Sequence, residues 1–251
     1  METIQTTFER YEKKYTLTWN EYEAFLSLAK NYIQADKHPV YTVHNIYFDT
    51  PNFDIISNSI EKPLFKEKLR LRSYTVPGPD DTAFLELKKK FKSVVYKRRI
   101  DAPYKELVSF IENPNFYTSD FFKSLSEEQK QIKNELQWFM NFMNVKPAVF
   151  IAYDREAYNA RDDKNIRITF DTNIRWRNSD IDLSSGDRGS VIPFDKDVLM
   201  EIKIGKSMPL YLVTILSYLN LTPVSFSKYG TCYTKYLHEL TQTNLRSYYC
   251  A

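Results

Sequence analysis

The sequence predicts an α+β fold, an antiparallel sheet with helices inserted between its strands, and three observations carry that prediction. Eight segments alternate charged and apolar residues with the two-residue period of a strand, two longer stretches carry helical spacing, and no stretch has the composition of an interdomain linker. The chain of 251 residues is therefore expected to form a single domain over 1–251, with a tail over about 240–251.

The first strand, near 8–17, puts Arg10, Glu12 and Lys14 on one face and Tyr11 and Tyr15 on the other. Thr18 then serves as an N-cap for a helix reaching Gln34, with Tyr22, Phe25, Leu26 and Ala29 at helical spacing. A strand near 41–49 stops at Asp49-Thr50-Pro51-Asn52, where a short helix follows. The segment 64–75 aligns Lys66, Lys68, Arg70 and Arg72 on one face, where they repel one another unless an anion sits among them. Val76 to Asp81 is a turn between strands. Beyond it, 82–90 sets Glu86, Lys88 and Lys90 against Leu85 and Leu87, and 93–101 carries Lys97 and Arg99 with Arg98 on the alternate parity. Thr118 to Val145 forms one or two helices whose buried stripe is Phe121, Leu125, Ile132, Leu136 and Phe139. Strands near 148–159, 165–177 and 197–205 follow, the last two separated by an irregular stretch from Ser179 to Pro193. They set Arg155 opposite Phe150 and Ala152, Arg167 and Asp171 opposite Ile168 and Phe170, and Glu201 and Lys203 opposite Met200 and Ile202.

The charge balance, 35 basic against 32 acidic residues, is too mild for a protein that coats nucleic acid, so any strong positive field is local and no nucleic-acid partner is expected. Two cysteines, Cys232 and Cys250, without metal-ligand spacing point to a reducing compartment. No apolar run approaches the roughly 18 residues needed to cross a bilayer. The expectation is a cytoplasmic protein, with attachment to a separate membrane-protein partner left open. Gly205-Lys206-Ser207 is no nucleotide loop, because Met200 stands where a glycine is required. His38, His44 and His238 show no paired spacing, no Gly-x-Ser-x-Gly elbow appears, and neither cysteine has an acid–base partner in the sequence.

The strand faces offer two explanations. An apolar inner and a solvated outer face is the usual meaning of such alternation. Against it, basic residues far outnumber acids on these faces although the whole chain is nearly balanced. If the sheet closes with its ionic face inward, the cations line a tunnel whose natural guest is a linear polyanion. Isolated carboxylates there, Glu12, Glu86 and Glu201, would hold Mg²⁺ or Mn²⁺ together with phosphate oxygens. Pairing of Glu12 and Glu86 with neighbouring cations is the structural alternative.

Several motifs in this order resemble the VTC-type polyphosphate polymerase domain, a branch of the triphosphate tunnel metalloenzyme superfamily that includes CYTH-type triphosphatases. They are Arg10-Tyr11-Glu12-Lys13-Lys14-Tyr15, Lys68-Leu69-Arg70-Leu71-Arg72, Leu85-Glu86-Leu87-Lys88, Tyr153-Asp154-Arg155-Glu156-Ala157-Tyr158, Arg167-Ile168-Thr169-Phe170-Asp171, Leu199-Met200-Glu201-Ile202-Lys203 and Phe226-Ser227-Lys228-Tyr229. The resemblance implies an antiparallel eight-stranded β-barrel tunnel with helices packed outside. It further implies transfer of the γ-phosphoryl group of ATP, or a similar nucleoside triphosphate, to a growing inorganic polyphosphate chain with Mn²⁺ or Mg²⁺. Carried over by motif, Lys14, Arg70, Arg72, Lys88, Lys97, Arg99, Arg155, Arg167, Lys203 and Lys228 contact phosphate, as Arg10 and Lys68 do by their position. Ser227 supplies a hydroxyl, and Glu201 leads the metal ligands ahead of Glu12 and Glu86.

Two departures stand out. Hydrolase relatives begin Glu-x-Glu-x-Lys, whereas Arg10 occupies the first carboxylate position, which favours the polymerase branch over a two-metal hydrolase. Ser225 stands where some relatives place a lysine. The SPX domain and membrane segments of eukaryotic relatives are not seen in this sequence. Triphosphate hydrolysis in the same tunnel, and non-catalytic binding of polyphosphate or RNA, are the competing functions. The tyrosines Tyr11, Tyr47 and Tyr153 are assigned to packing.

Overall fold

The computed structural model describes residues 7–8, 11–92, 94–205 and 207–238; Arg10, Cys250 and the expected tail lie outside them. Strands β1 (Thr7–Phe8) and β2 (Tyr11–Leu17) precede helix α1 (Trp19–Ala29), strand β3 (Ile33–Asp49) and helix α2 (Asp54–Ile60). Then come β4 (Phe65–Ser73), β5 (Thr82–Phe91), β6 (Val94–Pro103), and helices α3 (Tyr104–Glu112), α4 (Asp120–Lys123) and α5 (Glu127–Met143). Strands β7 (Lys146–Ala160), β8 (Arg167–Arg177), β9 (Ser190–Val191) and β10 (Val198–Ile204) lead to α6 (Leu210–Tyr218) and α7 (Lys228–Cys232), which runs on as a π-helical turn over Tyr233–Leu237.

All ten strands join one sheet in the order β1-β6-β5-β4-β3-β7-β8-β10-β2, with β9 added to β8. Every pairing is antiparallel. Eight strands are long and two, β1 and β9, have two residues each, so the expected eight-stranded framework is present with short additions. The hydrogen-bonded path has two ends, yet both belong to the N-terminal stretch: β1 adds to β6 at one edge and β2 to β10 at the other. One stretch of chain thus borders both edges of the wrapped sheet.

Local chemistry sets the helix boundaries. Thr18 and Glu21 form a reciprocal cap at the start of α1, with Glu21 N–H donating to Thr18 Oγ1 at 3.2 Å and Thr18 N–H to Glu21 Oε2 at 2.7 Å. The helix ends at Ala29 rather than Gln34, because residues from Ile33 onward enter a backbone ladder with β7, where Ile33 faces Ala160. Ser126 caps α5, which stops at Asn144 in the left-handed region (φ 47°). Helices α3, α6 and α7 are additions to the sequence expectation.

The outward face of β4, β5 and β6, through Leu69, Leu71, Leu85, Leu87 and Ile100, packs on Leu107, Phe110, Leu136 and Phe139 of α3 and α5. The outward face of β8 and β10, through Ile168, Phe170, Met200 and Ile202, packs on Phe25 of α1 and Leu212 of α6. A third cluster departs from the rule of one greasy and one ionic face. Val43 and Tyr47 of β3 and Val149 and Ile151 of β7 alternate in phase with the polar Asn45 and Tyr153, so they point inward, where Tyr229, Cys232 and Leu237 cover them. The C-terminal helical segment therefore fills part of the enclosed space.

Candidate phosphate-binding tunnel

What remains open inside is a cavity of about 150 Å³. Glu12 and Lys14 of β2, Tyr47 of β3, and Lys68, Arg70 and Arg72 of β4 line it. Lys88 of β5, Tyr153 and Arg155 of β7, and Glu201 and Lys203 of β10 complete the wall, with Ser227 and Lys228 at the start of α7. Ionic faces of five strands thus meet on one enclosed space.

Three acidic centres hold these cations. Glu86, only 1% exposed, lies on the same strand face as Lys88 but does not itself line the cavity. Arg70 reaches its Oε2 through Nε at 2.8 Å and a terminal nitrogen at 2.7 Å, Lys97 lies 2.5 Å from Oε1, and Arg72 and Arg99 are each 3.9 Å away. Burial acts to raise the Glu86 carboxyl, but Arg70, Arg72 and Lys97 outweigh it and hold it far below the ordinary carboxylate range. Asp171, fully buried, grips Arg155 through both oxygens at 2.6 and 2.8 Å and takes Lys228 at 2.5 Å. Burial again opposes ionisation there, and Arg155 and Lys228 lower the carboxyl against it.

Glu201 and Glu12 form the third centre and, unlike Glu86, both line the cavity. Glu201 meets Lys203 at 2.8 Å and Lys14 at 3.8 Å, while Glu12 meets Lys14 at 3.2 Å and Lys88 at 3.9 Å. For Glu12, burial and the Glu201 charge push upward, and Lys88, Lys14 and Lys203 prevail. For Glu201, burial is overcome by Lys203, Lys14, Arg155 and Lys228, leaving it strongly acidic. Both carboxylates are therefore ionised, cavity-facing and joined through one lysine. No cluster of three metal-ligating side chains exists among the described residues. Two ionised carboxylates fit a hard divalent ion that takes its remaining ligands from phosphate and water.

Tyr47 and Tyr153 pack in the third hydrophobic cluster, as expected, and also line the cavity, whereas Tyr11 is half exposed rather than packed. Arg72 Nε donates to Asn45 Oδ1 at 2.9 Å and a terminal nitrogen to the Tyr153 hydroxyl at 3.3 Å. The Tyr153 ring also stands against Lys228 at 4.1 Å and Arg155 at 5.1 Å. Burial works to raise its phenol, and Arg155, Arg72 and Lys228 lower it despite that. The signal for Tyr153 was present in the sequence, since it lies two residues before Arg155 on the same face.

Ser227 caps α7 by accepting from Gly230 N–H at 3.1 Å and accepts from Lys68 Nζ at 3.0 Å. Burial, with Lys14, Lys88 and Lys66 nearby, brings the Lys68 ammonium down to about 8. Burial likewise lowers Lys97 to about 8, the pull of Glu86 notwithstanding.

Not every expected contact reaches the cavity. Lys97 and Arg99 have the expected parity, with Arg98 turning to Glu135 at 2.9 Å, but both approach Glu86 and neither lines the cavity. Arg99 lies over the Phe84 ring at 3.8 Å. Arg167 pairs with Asp36 at 2.8 Å and Tyr41 at 3.3 Å instead of lining the cavity. Lys89, on the opposite face of β5, is held by Glu135 at 2.8 Å and Glu67 at 3.5 Å.

The sequence profile of the VTC domain matches residues 9–237. Among solved structures, a candidate adenylate cyclase from Bacillus halodurans shares the fold with a TM-score of 0.50 at 13% identity, over 89% of this chain and 96% of that one. A candidate adenylyl cyclase from Hippeastrum, described as having a dominant triphosphatase activity, gives a TM-score of 0.44 at 14% identity, over 87% and 92% of the two chains. No curated protein sequence matches the chain.

Proposed function

The chain belongs to the VTC domain family, and from that premise we propose that it is a polyphosphate polymerase, transferring the γ-phosphoryl group of ATP or a similar triphosphate to a growing inorganic polyphosphate chain. One observation carries this reading: cations from separate strands, Arg70, Arg72, Lys88, Arg155 and Lys203 among them, converge on one cavity that also holds two ionised carboxylates.

Phosphoryl transfer asks little covalent help of a protein; it needs in-line positioning and stabilisation of charge on the transferred group. Arg72 and Arg155 are held by Asn45, Tyr153 and Asp171 with nitrogens to spare for phosphate. Planar guanidinium groups fixed in this way grip phosphate oxygens bidentately. Lys14, Lys88, Lys203 and Lys228 supply point charges, and the Ser227 hydroxyl adds a donor. Glu201, with Glu12, would hold Mg²⁺ or Mn²⁺, which supplies charge neutralisation at the phosphates when bound. The acceptor is a terminal phosphate already ionised near neutral pH, so no general base is required. Glu86 and Asp171 act as positioning residues that keep the cations in place.

The test is incubation of the purified protein with ATP and Mn²⁺ or Mg²⁺, with long-chain polyphosphate and free phosphate measured separately. Polymer is the expected product. Free phosphate alone would make the protein a triphosphatase, and neither product, with polyphosphate still bound, would make it a binding module.

A further inference from the structure

Beside the inner cavity lies a second, larger one of about 560 Å³, and the two share Lys14, Lys68, Lys88 and Ser227 in their walls. It is lined on one side by β4 and β5 and on the other by α2 and α7. The antiparallel register of β4 and β5 sets Lys66 directly opposite Lys90 and Lys68 directly opposite Lys88. Like charges at such positions destabilise a sheet.

The inner wall resolves this conflict and the outer wall does not. One step inward, Arg70 faces Glu86, its ion-pair partner. Lys62, Lys66 and Lys90 have no acidic partner within ion-pair distance among the described residues. Lys66 donates only to the Ser59 carbonyl oxygen, at 2.7 Å. The single acid among the described residues of this lining, Glu67, is engaged by Lys89. An uncompensated ladder of ammonium groups, continuous with the reaction cavity, is a surface built for an anion the protein itself does not supply.

We propose that this vestibule is a separate binding site for a linear inorganic phosphate chain, in which Lys62, Lys66 and Lys90 retain the polymer while transfer takes place in the inner cavity. Its identification as a product site rests on the polymerase reading; its affinity for chains does not. Three features favour inorganic polyphosphate over single-stranded nucleic acid. Phe226 is the one aromatic among the described residues of the lining, whereas strand binding to nucleic acid relies on successive stacking platforms. Lysine holds phosphate as a point charge without fixing one register, which lets a uniform chain slide. The inner space of about 150 Å³ into which the vestibule leads is lined mainly by charged side chains, with Tyr47 and Tyr153 as the aromatic residues among those described.

The experiment compares the wild-type chain with a Lys62→Gln, Lys66→Gln, Lys90→Gln triple variant, none of whose positions lines the inner cavity. Equilibrium binding of tripolyphosphate and of long-chain polyphosphate is measured without nucleotide or metal, across a salt series. The expected result is a loss of long-chain affinity on the order of tenfold or more with a shallower salt dependence, while tripolyphosphate affinity stays within about twofold. In turnover, the variant should release shorter chains at an undiminished initial rate. Equal losses for both ligands would merge the vestibule with the reaction site, and no loss for either would remove it as a binding site. Single-stranded RNA bound as tightly as polyphosphate, with the same loss in the variant, would replace the proposal by a nucleic-acid surface. Because binding is read without turnover, an absence of polymer synthesis would count against the polymerase reading alone. Far-UV circular dichroism checks the fold, and Lys90→Glu alone should reproduce the long-chain defect.

Discussion

Glu86→Gln preserves the shape of the side chain and removes the charge to which Arg70, Arg72, Lys97 and Arg99 are drawn. Glu86 is 1% exposed, so its cationic partners lose a compensation that water cannot fully replace. Breaking a buried ion pair from one side destabilises by about 3–5 kcal/mol. Arg70 and Lys97 retain 21% and 44% side-chain exposure, which screens part of the exposed charge and places the expected loss near the lower end, about 3 kcal/mol. Urea denaturation followed by circular dichroism should show a lower midpoint with an unchanged slope.

The same variant reports on ligand geometry. A ligand that binds only the native state stabilises it by about 4 kcal/mol at about 1,000 times its Kd. With Glu86 neutral, Arg70 is free to meet phosphate, so saturating tripolyphosphate should narrow the gap between variant and wild type. An unchanged midpoint would show that Glu86 does not hold these cations in place. A gap of the same size with and without tripolyphosphate would show that the groups it holds do not reach the bound anion.

Arg72→Ala should remove on the order of 2–4 kcal/mol of transition-state stabilisation, read as kcat/KM for polymer formation; unchanged turnover would take Arg72 off the list of phosphate contacts. Glu201→Gln should weaken apparent metal affinity by at least about tenfold, the scale on which even an outer-shell partner matters, with far-UV circular dichroism unchanged. Equal metal dependence in variant and wild type would exclude it as a ligand. Lys68, brought down to about 8 by burial and neighbouring cations, should lose charge as pH rises through that value, weakening tripolyphosphate binding in a step that Lys68→Gln abolishes. The stability effect has the opposite sign: between about 8 and the ordinary 10.5, the unfolded chain carries a proton the native lysine lacks, so this group's contribution to stability rises with pH. Binding that is flat across this range would refute the assignment.

Strand parity made much of the tunnel legible. Arg70 and Arg72 repeat at the period that places side chains on one face, and that face is the cavity wall. The same parity correctly separated Arg99 from Arg98. It could not tell that Arg99, on the expected face, spends its guanidinium on Phe84 and Glu86, or that Arg167 turns to Asp36, because periodicity gives a direction and not a reach. Helix α6 is apolar on several sides, with Leu212, Ile215 and Leu216 buried in nine residues, and so lacks a clean stripe to read. The inward packing of α7 was equally hidden. Val149 and Ile151 share a face with Tyr153 and Arg155, and only a helix lying inside the sheet explains why one face changes from apolar to ionic along its length.

The placement of acids has a consequence for what the tunnel can distinguish. Each inner arginine already has a carboxylate partner, Glu86 for Arg70 and Arg72 and Asp171 for Arg155, so arginine charge in the cavity is partly compensated within the protein. A phosphate entering it meets guanidinium groups whose orientation is fixed but whose charge is partly satisfied. A lone orthophosphate would touch few of them and gains little beyond what water offers. Under the proposed function, a chain of phosphates would engage Arg72, Arg155, Lys228, Lys203 and Lys88 together, with one loss of translational freedom for many contacts. On that reading, selectivity for chain over monomer would arise from the spread of half-compensated cations along the cavity, with no single contact that is strong by itself.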